Sequence, residues 1–86
     1  MNRENEQLIM ADAAKAVNEV EAKARTATGP DAQGAMMDAY TAQVIWDAMN
    51  GIYGQDCDAE GGLAVMGWTL TLLARGTLGD LIAQTA

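Results

Sequence analysis

The sequence predicts an all-α protein, a small helical bundle of three main helices and a short C-terminal helix, completed by oligomerisation. Apolar residues recur at the three- and four-residue spacing of a helix through three long segments. Glycine and proline separate these segments, and no run alternates with the period of two that a β-strand shows. We therefore expect a single helical domain over 1–86, with helices at about 3–27, 31–53, 60–75 and 77–85.

The first helix, at about 3–27, has an apolar face rich in alanine and a charged face. The charged face carries Asp12, Lys15, Glu19 and Lys23. The apolar face comprises Ile9, Ala13, Ala16, Val17, Val20, Ala24 and Ala27. Because alanine is small, this face contributes little transfer free energy per residue, but it allows a neighbouring helix to lie close.

The second helix, at about 31–53, follows a helix stop. Gly29 suits the left-handed conformation after a helix, Pro30 cannot continue one, and Asp31 is a favourable N-cap. The predicted core side comprises Met37, Thr41, Val44, Ile45, Ala48, Met49 and Ile52, widened by Ala42, Trp46 and Tyr53. The opposite side carries Gln33, Gln43, Asp47 and Asn50, together with Tyr40 and Met36. The first two helices are predicted to form a hairpin.

The third helix, at about 60–75, is apolar almost all round. One face comprises Leu63, Met66, Leu70 and Leu73, and the opposite face comprises Val65, Trp68 and Leu72. A helix that is apolar on both faces needs a cover on both, and one hairpin covers only one of them. We therefore expect Val65, Trp68 and Leu72 to form an oligomer interface, most simply in a homodimer.

Gly76 is the predicted end of the third helix. Thr77 and Asp80 then resemble a capping box at the start of the short final helix. The alternative is one long kinked helix that continues through Gly76 and Gly79.

The acidic loop before the third helix resembles part of a metal-binding motif. Asp56, Asp58 and Glu60, followed by Gly61, reproduce the first half of an EF-hand calcium loop. The twelfth position of that loop, which should supply a bidentate Glu, is Gly67. We favour an interpretation in which Asp58 or Glu60 caps the third helix, and we expect no metal and no other cofactor.

The residue types that most enzymes need for catalysis are scarce. The chain has no His and no Ser, and acidic neighbours disfavour the thiolate form of its single cysteine, Cys57. We therefore expect no enzymatic activity. The sequence starts without a leader pattern, and its longest apolar run, at 63–74, is shorter than the ~20 residues of a membrane span. These features predict a cytoplasmic location.

The net charge of −7 is concentrated in the middle of the chain. From Thr26 to Ala74 there is no Lys or Arg, and this stretch contains six acidic residues. Direct binding to nucleic acid is disfavoured, since phosphate contacts need a basic patch. Asp38 is expected either to be solvated near the start of its helix or to pair with Arg75.

The acidic stretch indicates a protein partner with a basic surface. Apolar anchors among acidic residues are typical of a protein-binding surface. The predicted partner-binding residues are Met36, Tyr40, Gln43, Asp47, Asp56, Asp58 and Glu60.

The function that we expect is a non-catalytic, acidic inhibitor that blocks a basic and often nucleic-acid-binding surface of its partner. Small phage-encoded inhibitors of host defence, such as anti-CRISPR proteins, are often short and acidic; the chain is similar to them in class, without a shared motif. Such a protein would act in the host cytoplasm. Two alternatives are a structural assembly component and an oligomer that sequesters a small ligand such as a nucleotide. The second requires Lys15, Lys23, Arg25 or Arg75 to converge by symmetry.

Overall fold

A computed structural model describes residues 3–55 and 59–76, which form three helices and no strand. The helices are α1 (Arg3–Thr26), α2 (Pro30–Ile52) and α3 (Glu60–Arg75). The prediction of an all-α fold is confirmed. The predicted final helix at 77–85 lies outside the described residues.

The helix α1 is the centre of the arrangement, since it packs against both other helices, which contact each other less. Asn5 Nδ2 donates a hydrogen bond of 3.0 Å to Glu60 Oε1, so the first turns of α1 and α3 are neighbours. At the other end of the same two helices, Lys23 Nζ donates to the carbonyl oxygen of Ala74. The helix α3 therefore runs parallel to α1, and α2 runs antiparallel to both.

The core follows a stripe of buried residues along α1. The stripe alternates spacings of four and three residues, as in a coiled-coil seam. Its members are Glu6, Met10, Ala13, Val17 and Val20. Opposite it, Ala42 and Met49 of α2 and Leu63 and Leu70 of α3 have no exposed surface. The predicted inner face of α3 is thus buried at Leu63, Leu70 and Leu73.

The predicted core side of α2 is right in one half and wrong in the other, since the buried side is shifted by about a quarter turn. The confirmed half lies in or against the core and comprises Ala42, Ile45, Trp46, Met49, Ile52 and Tyr53. Met37 and Val44 were expected inside but are 62% and 52% exposed, whereas Ala42 and Met49 are 0% exposed. On a wheel of 100° per residue, the buried side is centred on these two residues. Because Ala42 joins the same core cluster as the alanines of α1, the two helices can approach closely there, and the larger Met37 and Val44 remain outside.

The connection between α1 and α2 is tight. Gly29 has φ 63° and ψ −142°, a conformation that favours glycine, and it occupies the N-cap position of α2. Pro30 is the first helical residue, where its missing N–H and fixed φ are well tolerated. The predicted N-cap, Asp31, therefore lies inside the first turn, and α2 begins one residue earlier than expected.

The helix α3 ends at Arg75. Gly76 adopts the left-handed conformation with φ 77°, and its N–H is directed at the carbonyl oxygens of Leu72 and Leu73. This is the arrangement in which a glycine closes a helix. The alternative of one kinked helix through Gly76 and Gly79 extends into residues 77–86, which lie outside the described ranges.

The helices α1 and α3 approach closely at Gly67, which is buried. A Cβ atom at this position would lie 3.3 Å from Ile9 Cγ2 and 3.7 Å from Met49 Cε. Only a residue without a side chain fits this contact without movement of its neighbours.

Candidate protein-binding surface

The outer face of α2 presents the largest group of exposed apolar side chains in the described residues. Tyr40 is 71% exposed, Met36 64%, Met37 62% and Val44 52%. Tyr40 lies about 160° around the helix from the buried Ala42. The helix α2 therefore has an apolar stripe on its outer side as well as the one that enters the core.

We call the outer series the outer stripe and define it as Gln33, Met37, Tyr40, Val44 and Asp47. Its spacings alternate between four and three residues, so its members lie above one another along the helix. All five are exposed. This repeat is the pattern by which one helix presents side chains to another.

A groove of about 640 Å³ lies beside the first half of the outer stripe. Its lining is mainly apolar and comprises Gly29, Ala32, Gln33, Met36, Met37 and Tyr40. Two small residues leave room, and the flexible thioethers of methionine adapt to the shape of an incoming group. The groove brings the predicted partner-binding residues Met36 and Tyr40 together.

The remaining predicted residues of α2 continue the same surface. Gln43 Nε2 donates a hydrogen bond of 3.0 Å to Asp47 Oδ1, which orients the exposed carboxylate one turn further along the helix. Met36, Tyr40, Gln43 and Asp47 are thus four exposed neighbours on one side of α2.

The charge of α2 has one sign. Its ionisable acids are Asp31, Asp38 and Asp47, all exposed, and it carries no Lys or Arg. A helix is about 10–12 Å wide with its side chains, comparable to a Debye length of about 8 Å at physiological salt. Only Asp47 lies on the outer stripe; Asp31 and Asp38 lie about 160° and 140° around α2 from its centre, so their potential reaches a partner on the stripe only in screened form. Asp38 is exposed, as expected if its carboxylate is solvated and not paired with Arg75.

Glu60, the predicted loop residue that the structure describes, lies on α3 and not on this surface of α2. Glu60 is half-buried at the first position of α3, where its carboxylate accepts the hydrogen bond from Asn5. The N-cap of α3 is Ala59, with no capping hydrogen bond from its side chain, so Glu60 is the first helical residue and not the N-cap; the other predicted cap, Asp58, is outside the described ranges. Asp56 lies outside them as well.

The outer face of α3 is a second exposed apolar surface. Val65 and Trp68 are 64% and 62% exposed, and Leu72 is half-buried. Their spacing of three and four residues places them in one row. Among the charged residues of α3, Glu60 is at its first position and Arg75 at its last, so the row between them is uncharged.

A polar groove of about 300 Å³ lies between α1 and α3. Its lining comprises Asp12, Lys15, Ala16, Glu19, Thr71, Ala74 and Arg75. Two of the basic residues required by the nucleotide alternative, Lys15 and Arg75, do meet here. Two carboxylates line the same groove and oppose the binding of a phosphate.

Within residues 3–55 and 59–76, no group of three acidic, His or Cys side chains is arranged to hold a metal ion. Gly67, where an EF-hand loop would carry its last ligand, is in the contact between α1 and α3. No helix in these two ranges combines the length and hydrophobicity that a membrane crossing needs.

Two features, one on this surface and one in the core, were missed by sequence reasoning. Met37 and Val44 were placed in the core, although the series from Gln33 to Asp47 already had the regular spacing of a second stripe. Glu6 was not considered a core residue, although it precedes Met10 and Ala13 at the spacing of the buried stripe in α1.

Comparison with protein-family models, with curated proteins and with solved structures finds no match to this chain.

Proposed function

We propose that the protein is a non-catalytic binding protein whose acidic helix α2 blocks a basic, nucleic-acid-binding surface of a partner protein. The observation that supports this most strongly is the outer face of α2, where exposed Met36 and Tyr40 adjoin Gln43 and Asp47. Apolar anchors give short-range affinity, and the negative potential selects and steers a basic partner.

The proposed mechanism is competition with nucleic acid. The carboxylate of Asp47 takes the place of a phosphate on the partner, and Tyr40 on the same side makes contacts that a phosphate backbone cannot make; Asp31 and Asp38 add to the negative field of α2. The location that we propose is the cytoplasm, as for phage-encoded inhibitors of host defence, to which the chain is similar in class.

The proposal predicts which proteins the chain captures. Immobilised protein in a bacterial lysate is expected to retain basic, nucleic-acid-binding proteins and to release them at about 0.3–0.5 M salt, where the Debye length falls toward 4–5 Å. Replacing Asp31, Asp38 and Asp47 together with Asn should remove most of this capture. Mass spectrometry of the salt eluate measures it.

The matched control removes the same number of charges from α1, by Glu4→Gln, Asp12→Asn and Glu19→Gln. All three positions are exposed, and this variant should capture the same proteins as the original chain. Each captured protein is then tested for nucleic-acid binding with and without the chain. Captured proteins that keep their nucleic-acid affinity in a saturating excess of the chain would refute the blocking mechanism.

A homodimer through α3 is also part of the proposal. In an antiparallel pair of α3 helices centred on Trp68, Val65 of one copy faces Leu72 of the other, and each Arg75 approaches the acidic start of the other helix. The helix α2 is less suited to self-association, because it is acidic and has no Lys or Arg, so two paired copies would gain no charge complementarity.

Light scattering across a gel-filtration peak tests the dimer. We expect a mass of twice the 9.0 kDa chain at micromolar concentration, and about tenfold weaker association for Trp68→Ala, since a central Trp often contributes more than about 1–2 kcal/mol to an interface. The same truncation in α2, Tyr40→Ala, should leave the mass unchanged. A 9.0 kDa species for the original chain across this range would exclude the α3 dimer.

The nucleotide-sequestering alternative receives less support. Lys15 and Arg75 share a groove, but Asp12 and Glu19 line it as well. Lys23 is engaged with the end of α3 through the Ala74 carbonyl.

A further inference from the structure

We propose that the outer stripe of α2 is a docking site for one kind of partner segment, an amphipathic helix with Lys or Arg beside its apolar face. This inference rests on the proposed function, because it specifies the structure of the basic partner at the same surface. It is carried by the spacing of the outer stripe, by the groove beside it and by the charge of α2.

The spacing of the outer stripe favours a helix over an extended peptide. The backbone N–H and C=O groups of α2 are used within the helix, so an extended peptide finds no edge with which to form a ladder. A helix instead inserts side chains at three- and four-residue spacing between Met37, Tyr40 and Val44. The stripe from Gln33 to Asp47 is about 21 Å long, which matches about four turns of a partner helix.

The groove beside Met36 and Tyr40 provides the place for one large apolar side chain of that helix. Gly29 and Ala32 contribute no long side chains, while Met36, Met37 and Tyr40 are each more than 60% exposed and line the groove. An aromatic ring or a leucine side chain could be enclosed there by two thioethers and a phenol ring. A surface of this kind accepts related apolar side chains rather than one alone.

The charge of α2 determines which helix is accepted. Asp47 lies on the outer stripe and α2 has no Lys or Arg, so a neutral or acidic partner helix would leave the Asp47 carboxylate without a cation. A second copy of α2 would add a second acidic helix and no cation. A helix with basic residues flanking its apolar side supplies that cation, which is the complementarity typical of specific interfaces.

The test uses the full-length chain and three synthetic 21-residue peptides, measured by isothermal titration calorimetry. The probe peptide has Leu at every a and d position of its heptads and Lys at e and g. One control has the same composition in scrambled order, without an apolar stripe. The other replaces each Lys of the probe with Glu. We expect the probe to bind at least about tenfold more tightly than either control, a difference of about 1.4 kcal/mol.

Variants locate the binding site. Met37→Ala and Tyr40→Ala should each weaken binding of the probe about tenfold, as for anchors near the centre of an interface. Leu8→Ala is the matched control, since Leu8 is 64% exposed on α1 and belongs to neither apolar face, and it should change the affinity less than twofold. The helical content of each variant is compared by circular dichroism, so that a loss of fold is not mistaken for a loss of contact.

Three results would overturn the inference. They are equal binding of the probe and its scrambled form, unchanged affinity in both α2 variants, and a change of molecular mass in Tyr40→Ala that identifies the stripe as a contact between copies of this chain.

The two proposals fail separately. Capture of basic proteins displaced from nucleic acid, without preference for the probe, leaves the proposed function standing and refutes helix docking. Tighter binding of the probe, without any captured protein being displaced from nucleic acid, supports helix docking and refutes the blocking mechanism.

Discussion

Replacing Gly67 with Glu is expected to unfold the protein, although it supplies the one ligand that the acidic loop lacks as an EF-hand. Gly67 is buried where α1 meets α3, and its Cβ would lie 3.3 Å from Ile9 Cγ2. A carboxylate forced into this contact costs more than about 4 kcal/mol. The chain has a total stability of roughly 4–13 kcal/mol at 0.05–0.15 kcal/mol per residue. Far-ultraviolet circular dichroism and urea unfolding measure the loss.

The matched control is Gly61→Glu in the same helix. Gly61 is exposed with open space around its Cβ position, and it lies in the first turn of α3, where the helix dipole favours an acidic residue. Its free energy of unfolding should stay within about 0.5 kcal/mol of the original. A folded Gly67→Glu protein that becomes more stable on addition of calcium would contradict the expectation and restore the interpretation of the loop as a calcium site.

The second prediction concerns the buried carboxylate of Glu6. Glu6 is 1% exposed in the core stripe of α1, and its Oε1 has no hydrogen-bond partner within the described ranges. An unsatisfied buried polar group costs about 1–3 kcal/mol, so Glu6→Met, which keeps the length of the side chain, should stabilise the protein by about that amount. For a chain of this size, each kcal/mol raises Tm by about 4–8 °C. Differential scanning calorimetry measures the change.

Glu4→Met provides the comparison for Glu6→Met. Glu4 is exposed in the same turn of α1, and the substitution is identical, so differences in helix propensity and net charge cancel. We expect a change within about 0.5 kcal/mol at this position. If Glu6→Met instead destabilised the protein, the Glu6 carboxylate would have a hydrogen-bond partner in solution and would help to specify a single packing of the core.

The helices were predictable because their signals are local. The Gly29–Pro30 pair and Gly76 mark helix ends through backbone conformations that few other residues adopt. Apolar periodicity then locates each helix between these marks. Both ends of each of the three helices lie within one residue of the expected positions.

The orientation of α2 could not be predicted in the same way. Both of its sides carry apolar residues at helical spacing, so a helical wheel offers two solutions. The prediction assigned Met37, Val44, Ala42 and Met49 to one broad core side. Which half of that side enters the core depends on which half fits the alanine-rich helix α1. How closely two helices can pack depends on both of them, whereas the hydrophobicity of α2 alone favoured its larger side chains for the core.

The candidate site was predicted in part. Met36, Tyr40, Gln43 and Asp47 were assigned to the surface from their polar surroundings, and all four are exposed. The stripe that extends this surface was not recognised, because Met37 and Val44 had been assigned to the core. The structure also separates Glu60 from the others, since it belongs to α3 and is half-buried beside Asn5 of α1.

The central position of α1 has a consequence for how the two exposed apolar faces influence each other. The helices α2 and α3 each pack mainly on α1 and only weakly on one another, and their outer faces share no residue. Substitutions at sites without shared contacts usually have additive free-energy effects. A change at Tyr40 and a change at Trp68 should therefore act as independent adjustments, so that selection or engineering can alter the choice of partner without altering the number of copies.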